Sequence, residues 1–222
     1  MSRRREHPAD GLYIVGVTGG IASGKSTLVP RLAGALPSVV VDADRVGHAV
    51  LENPDVQRAL AAEFGADVLD AAGRVRREVV GARAFASPEK LAALDRITRP
   101  PLLGRVEEAM RSAAAGGFVG LLVLDAALLV EWDRGEWCDR VIAVVADPHV
   151  RALRLVLRTG MAEALAQQRI AAQLPDAARA AYADETIVND GTLADFEVRA
   201  GELAARTAGL ARAALAARGH VL

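Results

Sequence analysis

Apolar and polar positions along the 222-residue chain fall into short unbroken apolar runs that alternate with stretches of helical spacing. LYIVGV (Leu12–Val17) is short, apolar and β-branched, and it predicts a buried strand. After a run of glycines, STLVPRLAGAL from Ser26 has helical spacing with a weak point at Pro30. SVVVDAD (Ser38–Asp44) predicts a second strand ending in acids. PDVQRALAAEF (Pro54–Phe64) predicts a helix, with Pro54 in its first turn and Asn53 as its cap. From Pro88 to about Ala115 the spacing is helical, and RPP at Arg99–Pro101 predicts two helices or a kink. FVGLLVLDAALLVE holds a third strand ending near Asp125, RVIAVVADP a fourth ending at Asp147, and ETIVND a short fifth. Further helices are expected over PHVRALRLVLR, opened by Pro148, over AEALAQQRIAAQ, and over a long alanine-rich stretch from Leu193.

Strands alternating with helices imply an α/β fold in three layers, a parallel five-stranded sheet flanked by helices on both faces. Ligands of such sheets sit beyond the carboxyl ends of the strands. Asp42, Asp44, Asp125 and Asp147 all fall at such ends.

Composition narrows the classes. At 52% hydrophobic the chain can bury a substantial core, and with only 4% aromatics that core must be aliphatic. The net charge of −1 gives no broad basic field, so a nucleic-acid partner is not expected. The start MSRRREHPADG is basic, but no apolar leader follows it, and the first ten residues read as a loose tail. No apolar run is long enough to span a bilayer, so no membrane partner is expected. Cys138 is the only cysteine, which fits a reducing, cytoplasmic setting. The remaining 11–222 reads as one domain.

Lysine occurs only at Lys25 and Lys90, and the first of these lies in GVTGGIASGKST (Gly16–Thr27). Gly19 to Ser26 fits G-x-x-x-x-G-K-[ST], with a predicted strand before it and a helix after it. Glycines such as Gly19, Gly20 and Gly24 let the backbone turn tightly and point successive N–H groups at an anion. The helix that follows presents its positive end. On this reading Gly19, Gly20, Ala22, Ser23, Gly24, Lys25, Ser26 and Thr27 cradle ATP, Lys25 reaches the terminal phosphates, and the Ser26 hydroxyl ligates Mg²⁺. A plain glycine-rich turn with an exposed lysine is the bland alternative.

The acids and arginines suggest what the nucleotide is for. In VVVDADR, strand alternation would send Asp42 and Asp44 to the same side if the strand continued. One of them could take a proton from a substrate hydroxyl or hold the metal's waters. Asp42 is the better candidate for a helix cap. Arg151, Arg154 and Arg158 share a helix face, with no acid between Asp147 and Glu163 to pair with them. Such a row suits either a lid that neutralises migrating phosphate charge or a solvated face. Asp125 could assist Mg²⁺ through water or serve a loop. His48, Cys138, Trp132 and Trp137 read first as packing residues.

VTGGIASGKST, VDADRVGHAV, FG…G, LLVE, RALRLVLR and ADETIVNDG, in this order from about Leu12 to about Ala205, resemble the dephospho-coenzyme A kinases. The resemblance implies transfer of the ATP γ-phosphate to the ribose 3′-hydroxyl of dephospho-coenzyme A. It also implies a P-loop kinase fold with a helical acceptor-binding region, about 45–115, and a lid, about 150–182. By position, Asp44 resembles the family's catalytic carboxylate, Thr18 a residue near the reacting phosphate, and Arg154 the lid arginine, with Arg158 beside it. Arg77 matches an acceptor-side arginine, and Asn189 sits where a late loop approaches the nucleotide. The chain departs from the family at Ala22 (usually glycine), Arg99 (histidine), Ala127 (proline) and Arg151 (often glutamine). A methyl at Ala22 is acceptable if its φ is negative.

Other classes fit less well. A GTPase would need N-K-x-D, and Lys90 follows Glu89. A transporter ATPase would need a signature such as LSGGQ. Another small P-loop kinase, acting on a nucleoside monophosphate or a metabolite, is the alternative that the motifs leave open. A monomer is expected.

Overall fold

The computed structural model describes residues 11–222, so the predicted N-terminal tail lies outside the described residues. Five strands occur: β1 (Leu12–Gly19), β2 (Ser38–Asp42), β3 (Gly120–Asp125), β4 (Arg140–Val145) and β5 (Glu185–Val188). Nine α-helices accompany them among the described residues: α1 (Lys25–Ala33), α2 (Ala43–Val50), α3 (Pro54–Phe64), α4 (Arg77–Ala84), α5 (Pro88–Ala115), α6 (Pro148–Thr159), α7 (Glu163–Ala171), α8 (Asp176–Tyr182) and α9 (Leu193–Ala217).

The sheet is parallel throughout, in the order β2-β3-β1-β4-β5. β1, fully buried, is its central strand. Tyr13, Val15 and Val17 of β1 pack with Leu28 and Leu32 of α1 and with Phe196, Leu203 and Ala211 of α9. Successive strand residues face opposite ways, and Gly16 lies against Leu129 and Cys138. A Cβ there would stand 2.5 Å from Leu129 Cδ2 and 2.7 Å from Cys138 Sγ, so the strand needs glycine at this point. The chain leaves β1 for β2 at one edge of the sheet and later reaches β4 on the other side. The carboxyl end of β1 is therefore a switch point, where such sheets bind ligands. In register there, Asp125 lies beside Val17 on one side and Asp42 on the other.

The chain forms two compact units, residues 11–42 with 110–222, and Ala43–Ala109. The second has its own core of Val50, Val56, Leu60, Phe64, Val68, Val80, Ala84 and Ala93. Its α3 is capped by the Asn53 side chain, which accepts from Asp55 N at 2.8 Å. Arg83 and Asp67 add an ion pair at 2.5 Å.

Three expectations need correction. The predicted second strand stops at Asp42, because α2 begins at Ala43, so strand alternation does not govern Asp44. Of the two outcomes expected at RPP, a division into two helices does not occur: α5 runs as one helix through Pro100 and Pro101. Ile97 and Leu102, on either side of the prolines, pack against the second unit's core, and this burial outweighs the two lost backbone donors. α2, α4 and α8 were not legible as separate helices. The fourth strand ends at Val145, and Asp147 instead caps α6, accepting from His149 N at 2.8 Å.

Candidate active site

The loop after β1 is built to expose backbone donors. α1 starts at Lys25 with Gly24 as its cap, at φ 112°, no side chain caps it, and its first turn holds no acid. The first amides of a helix lack partners one turn back, and among the described residues no side chain caps them here. A Cβ on Gly24 would fall on the Asn189 amide. One on Gly19 would stand 2.5 Å from the Val144 carbonyl oxygen and 2.7 Å from Ser23 Oγ. The Ser23 hydroxyl is buried with no hydrogen-bond partner among the described residues. An orphaned donor and an uncapped helix end on one loop fit a bound polyanion.

Lys25 Nζ lies 3.7 Å from Asp125 Oδ1, both side chains being largely buried. That holds the lysine over the loop and brings the acid at the end of β3 to the same place. Ser26 is exposed at the second position of α1. Beside the loop a cavity of about 300 Å³ is lined by Ala22, Gly24, Ser26, Thr27, Arg154 and Asn189, among others. Arg158 also lines it.

Asn189 is buried and links three parts of this site. Its Nδ2 donates to the Ser23 carbonyl at 2.8 Å, and its Oδ1 accepts from Arg154 Nη2 at 3.2 Å. Arg154 Nη1 also donates to the Asn189 carbonyl at 2.9 Å. The late loop thus fixes both the P-loop backbone and the arginine. Thr18 is fully buried; its hydroxyl donates to the Ala127 carbonyl at 3.0 Å and accepts from Arg179 Nη1 at 3.1 Å. Only the carbonyl of Ala127 takes part, so the departure from proline there leaves this contact intact.

The three arginines of α6 do not share one environment. Arg158 is exposed, Arg154 is half-buried, and Arg151 is only 3% exposed. Arg151 meets an acid that local sequence could not supply, pairing with Asp176 of α8 at 3.2 Å. The solvated-face reading therefore fails for Arg151. Burial pulls its pKa down, while Asp176 pulls it back up. Ala22 overturns the condition set for its methyl: its φ is +59°, in the left-handed region. The methyl is held there against the cluster of Ala152, Leu155, Ala166 and Ile170.

Sequence reasoning missed Arg179, the largest fully buried side chain. It donates to the Ala127 carbonyl at 2.6 Å and pairs with Glu131 at 2.6 Å. The LLVE run had drawn notice without a role for its glutamate. An arginine among alanines in DAARAAY was the available signal. Trp132, Trp137 and Cys138 are buried as expected, whereas His48 is exposed.

In the second unit, Asp44 is exposed in the first turn of α2. Arg77 opens α4 and lines an apolar cavity of about 250 Å³ with Val50, Val80 and Leu94. Arg99 pairs with Asp95 one turn back, at 2.7 Å.

Comparison with known proteins places these features. A family model described as dephospho-CoA kinase matches residues 13–195. The dephospho-CoA kinase of Corynebacterium diphtheriae is 39% identical over 193 residues, 86% of this chain and 96% of the relative. That of Geobacter sulfurreducens is 36% identical over 88% of this chain and 98% of the relative. Among solved structures, TT1252 from Thermus thermophilus superposes with a TM-score of 0.70 at 27% identity, covering 87% of this chain and 97% of its own. The dephospho-CoA kinase from Campylobacter jejuni, at TM-score 0.59 and 20% identity over 89% and 98% of the two chains, shares the fold. On the match across residues 13–195 and the identities over nearly the whole length of these relatives, the chain belongs to the dephospho-CoA kinase family.

Proposed function

We propose that the chain phosphorylates the ribose 3′-hydroxyl of dephospho-coenzyme A with the γ-phosphate of ATP, giving coenzyme A. The observation that carries this reading is the uncapped N-terminus of α1, with Lys25 beside it, in a chain matched by the family over residues 13–195.

The residues divide the work as follows. The backbone of Gly19, Gly20, Ala22, Ser23, Gly24 and Thr27 holds the phosphates, and Lys25 balances their charge. Arg154 stabilises charge on the migrating phosphoryl group, with Arg158 beside it, and Asn189 holds Arg154 and the loop together. Thr18 braces the head of the loop. Asp44 orients the ribose hydroxyl and takes its proton. Arg77 acts on the acceptor side.

Ser26 and Asp125 are the donors that fit Mg²⁺, a hydroxyl and a carboxylate at the phosphate end. Among the described residues no three His, Cys, Asp or Glu side chains form a cage, and an ion held mainly by phosphates and water needs none. When bound, the ion would offset the negative charge of the phosphates during transfer.

The finer setting belongs to the same proposal: a monomer in the cytoplasm, without nucleic-acid or membrane partners. No helix among the described residues is long and apolar enough to cross a membrane.

The test is mass analysis of the product formed from ATP, Mg²⁺ and dephospho-coenzyme A by wild type, Lys25→Met and Asp44→Asn. Wild type should give coenzyme A, and each variant should lose about two to four orders of magnitude in turnover while staying folded. No product from folded, ATP-binding wild type would overturn the activity. Near-normal turnover by Asp44→Asn would remove that residue from its role.

A further inference from the structure

Ala22 stands in a left-handed conformation that L-residues seldom adopt, at φ +59°. Such a residue persists only where its surroundings over-determine it. Ile21, immediately before it, is held at both ends of its peptide groups. Its N–H donates to Gln173 Oε1 at 2.8 Å, and its carbonyl accepts from Arg151 Nε at 2.9 Å.

The two holding groups are joined. Arg151 Nη2 donates to the same Gln173 Oε1 at 2.7 Å, and Arg151 Nη1 reaches Asp176 Oδ1 at 3.2 Å. The guanidinium lies against Gly20, where any Cβ would collide with it. Gln173 lies between α7 and α8, so the clamp runs from the P-loop to the segment on either side of it. Ala22 also packs against the α6–α7 cluster.

We propose that Arg151 and Gln173 are positioning residues that hold the P-loop backbone at Gly20–Ala22 in its nucleotide-binding conformation, and that this chain needs them because Ala22 occupies a left-handed position. The proposal rests on the reading of this loop as the ATP site. Each acts through the Ile21 peptide groups on the amides that follow. It also accounts for a full charge buried at Arg151, since a neutral apolar residue could hold neither the Ile21 carbonyl nor Asp176.

The experiment compares ATP binding by titration calorimetry, without acceptor, and steady-state kinetics for wild type, Arg151→Met, Gln173→Met, Ala22→Gly and the two double variants with Ala22→Gly. Arg151→Met and Gln173→Met should each weaken ATP binding about tenfold, the loss that releasing one strained residue allows. KM for ATP should rise in step while KM for dephospho-coenzyme A stays within about twofold, a split that general loosening of the fold would not give. With glycine at position 22 the loop keeps its geometry unaided, so the same substitutions should cost less than about threefold.

Gln173→Met retains the Arg151–Asp176 pair, so it answers the question even if Arg151→Met fails to fold. Equal losses with alanine and with glycine at position 22 would overturn the link to Ala22. Unchanged ATP binding in Gln173→Met would overturn the clamp. Wild type that does not bind ATP at all would instead overturn the reading of the loop.

Discussion

Gly24 and Cys138 show how single positions set the chemistry of their surroundings. Gly24, at φ 112°, has no room for a side chain against Asn189. Gly24→Ala should destabilise the protein by about 2 kcal/mol and weaken ATP binding, checked by denaturation and calorimetry. Unchanged binding would show that the Asn189 contact is dispensable. Cys138 has its thiol pKa pushed up, first by burial and then by the nearby Asp139, Asp184 and Glu136 carboxylates. The native thiol should therefore resist thiol reagents at pH 8, where unfolded chain reacts; rapid labelling of native protein would contradict its burial. The folded state keeps this proton and the unfolded state loses it above about pH 8.5. Its contribution to stability is thus full below that pH and declines as pH rises further, which denaturant titrations between neutral and alkaline pH would read. The sequence reads Cys138, between Trp137 and Asp139, as a packing residue. It could not show that Arg151 is buried, because its partner Asp176 lies 25 positions away.

Elements were legible where one signal dominated. β1, β3 and β4 are continuous apolar runs because both faces of a central parallel strand are covered. α3 carried a visible cap at Asn53, whereas Asp147, which reads as a strand end, caps α6, and Thr192 caps α9 where the sequence reading names no cap. α2 and α8 are eight and seven residues long, too short to show a period. The continuity of α5 through two prolines was decided by packing, which local propensity does not report. The C-terminal end of α9 is tied back to the sheet by contacts equally invisible in sequence. Arg218, just past the helix, donates to the Leu12 carbonyl at 2.8 Å and pairs with Asp139 at 2.6 Å. The Asp139 carboxylate in turn accepts from Ile14 N at 2.7 Å. Arg218→Met should cost about 3 kcal/mol, because it strips a charged partner from a buried carboxylate. Denaturant midpoints would measure this, and a loss under about 0.5 kcal/mol would mean that the pair behaves as a surface contact.

For the whole molecule, the order β2-β3-β1-β4-β5 puts the P-loop, Asp42 and Asp125 at the carboxyl ends of neighbouring strands. The motif at Gly19–Ser26 was enough to read a nucleoside triphosphate from sequence, since strand, loop and helix are contiguous in the chain. The acceptor was legible only through family resemblance, because Asp44 and Arg77 belong to short helices whose surroundings no spacing rule specifies. Acceptor choice is accordingly the central claim. The most direct test is ADP release by the wild-type protein with ATP and Mg²⁺, comparing kcat/KM for dephospho-coenzyme A, AMP, CMP and shikimate with the rate in the absence of acceptor. Release that depends on dephospho-coenzyme A, at least about a hundredfold above the other acceptors, is the predicted result. Equal or faster release with AMP, CMP or shikimate would contradict it and leave only a small P-loop kinase of another specificity.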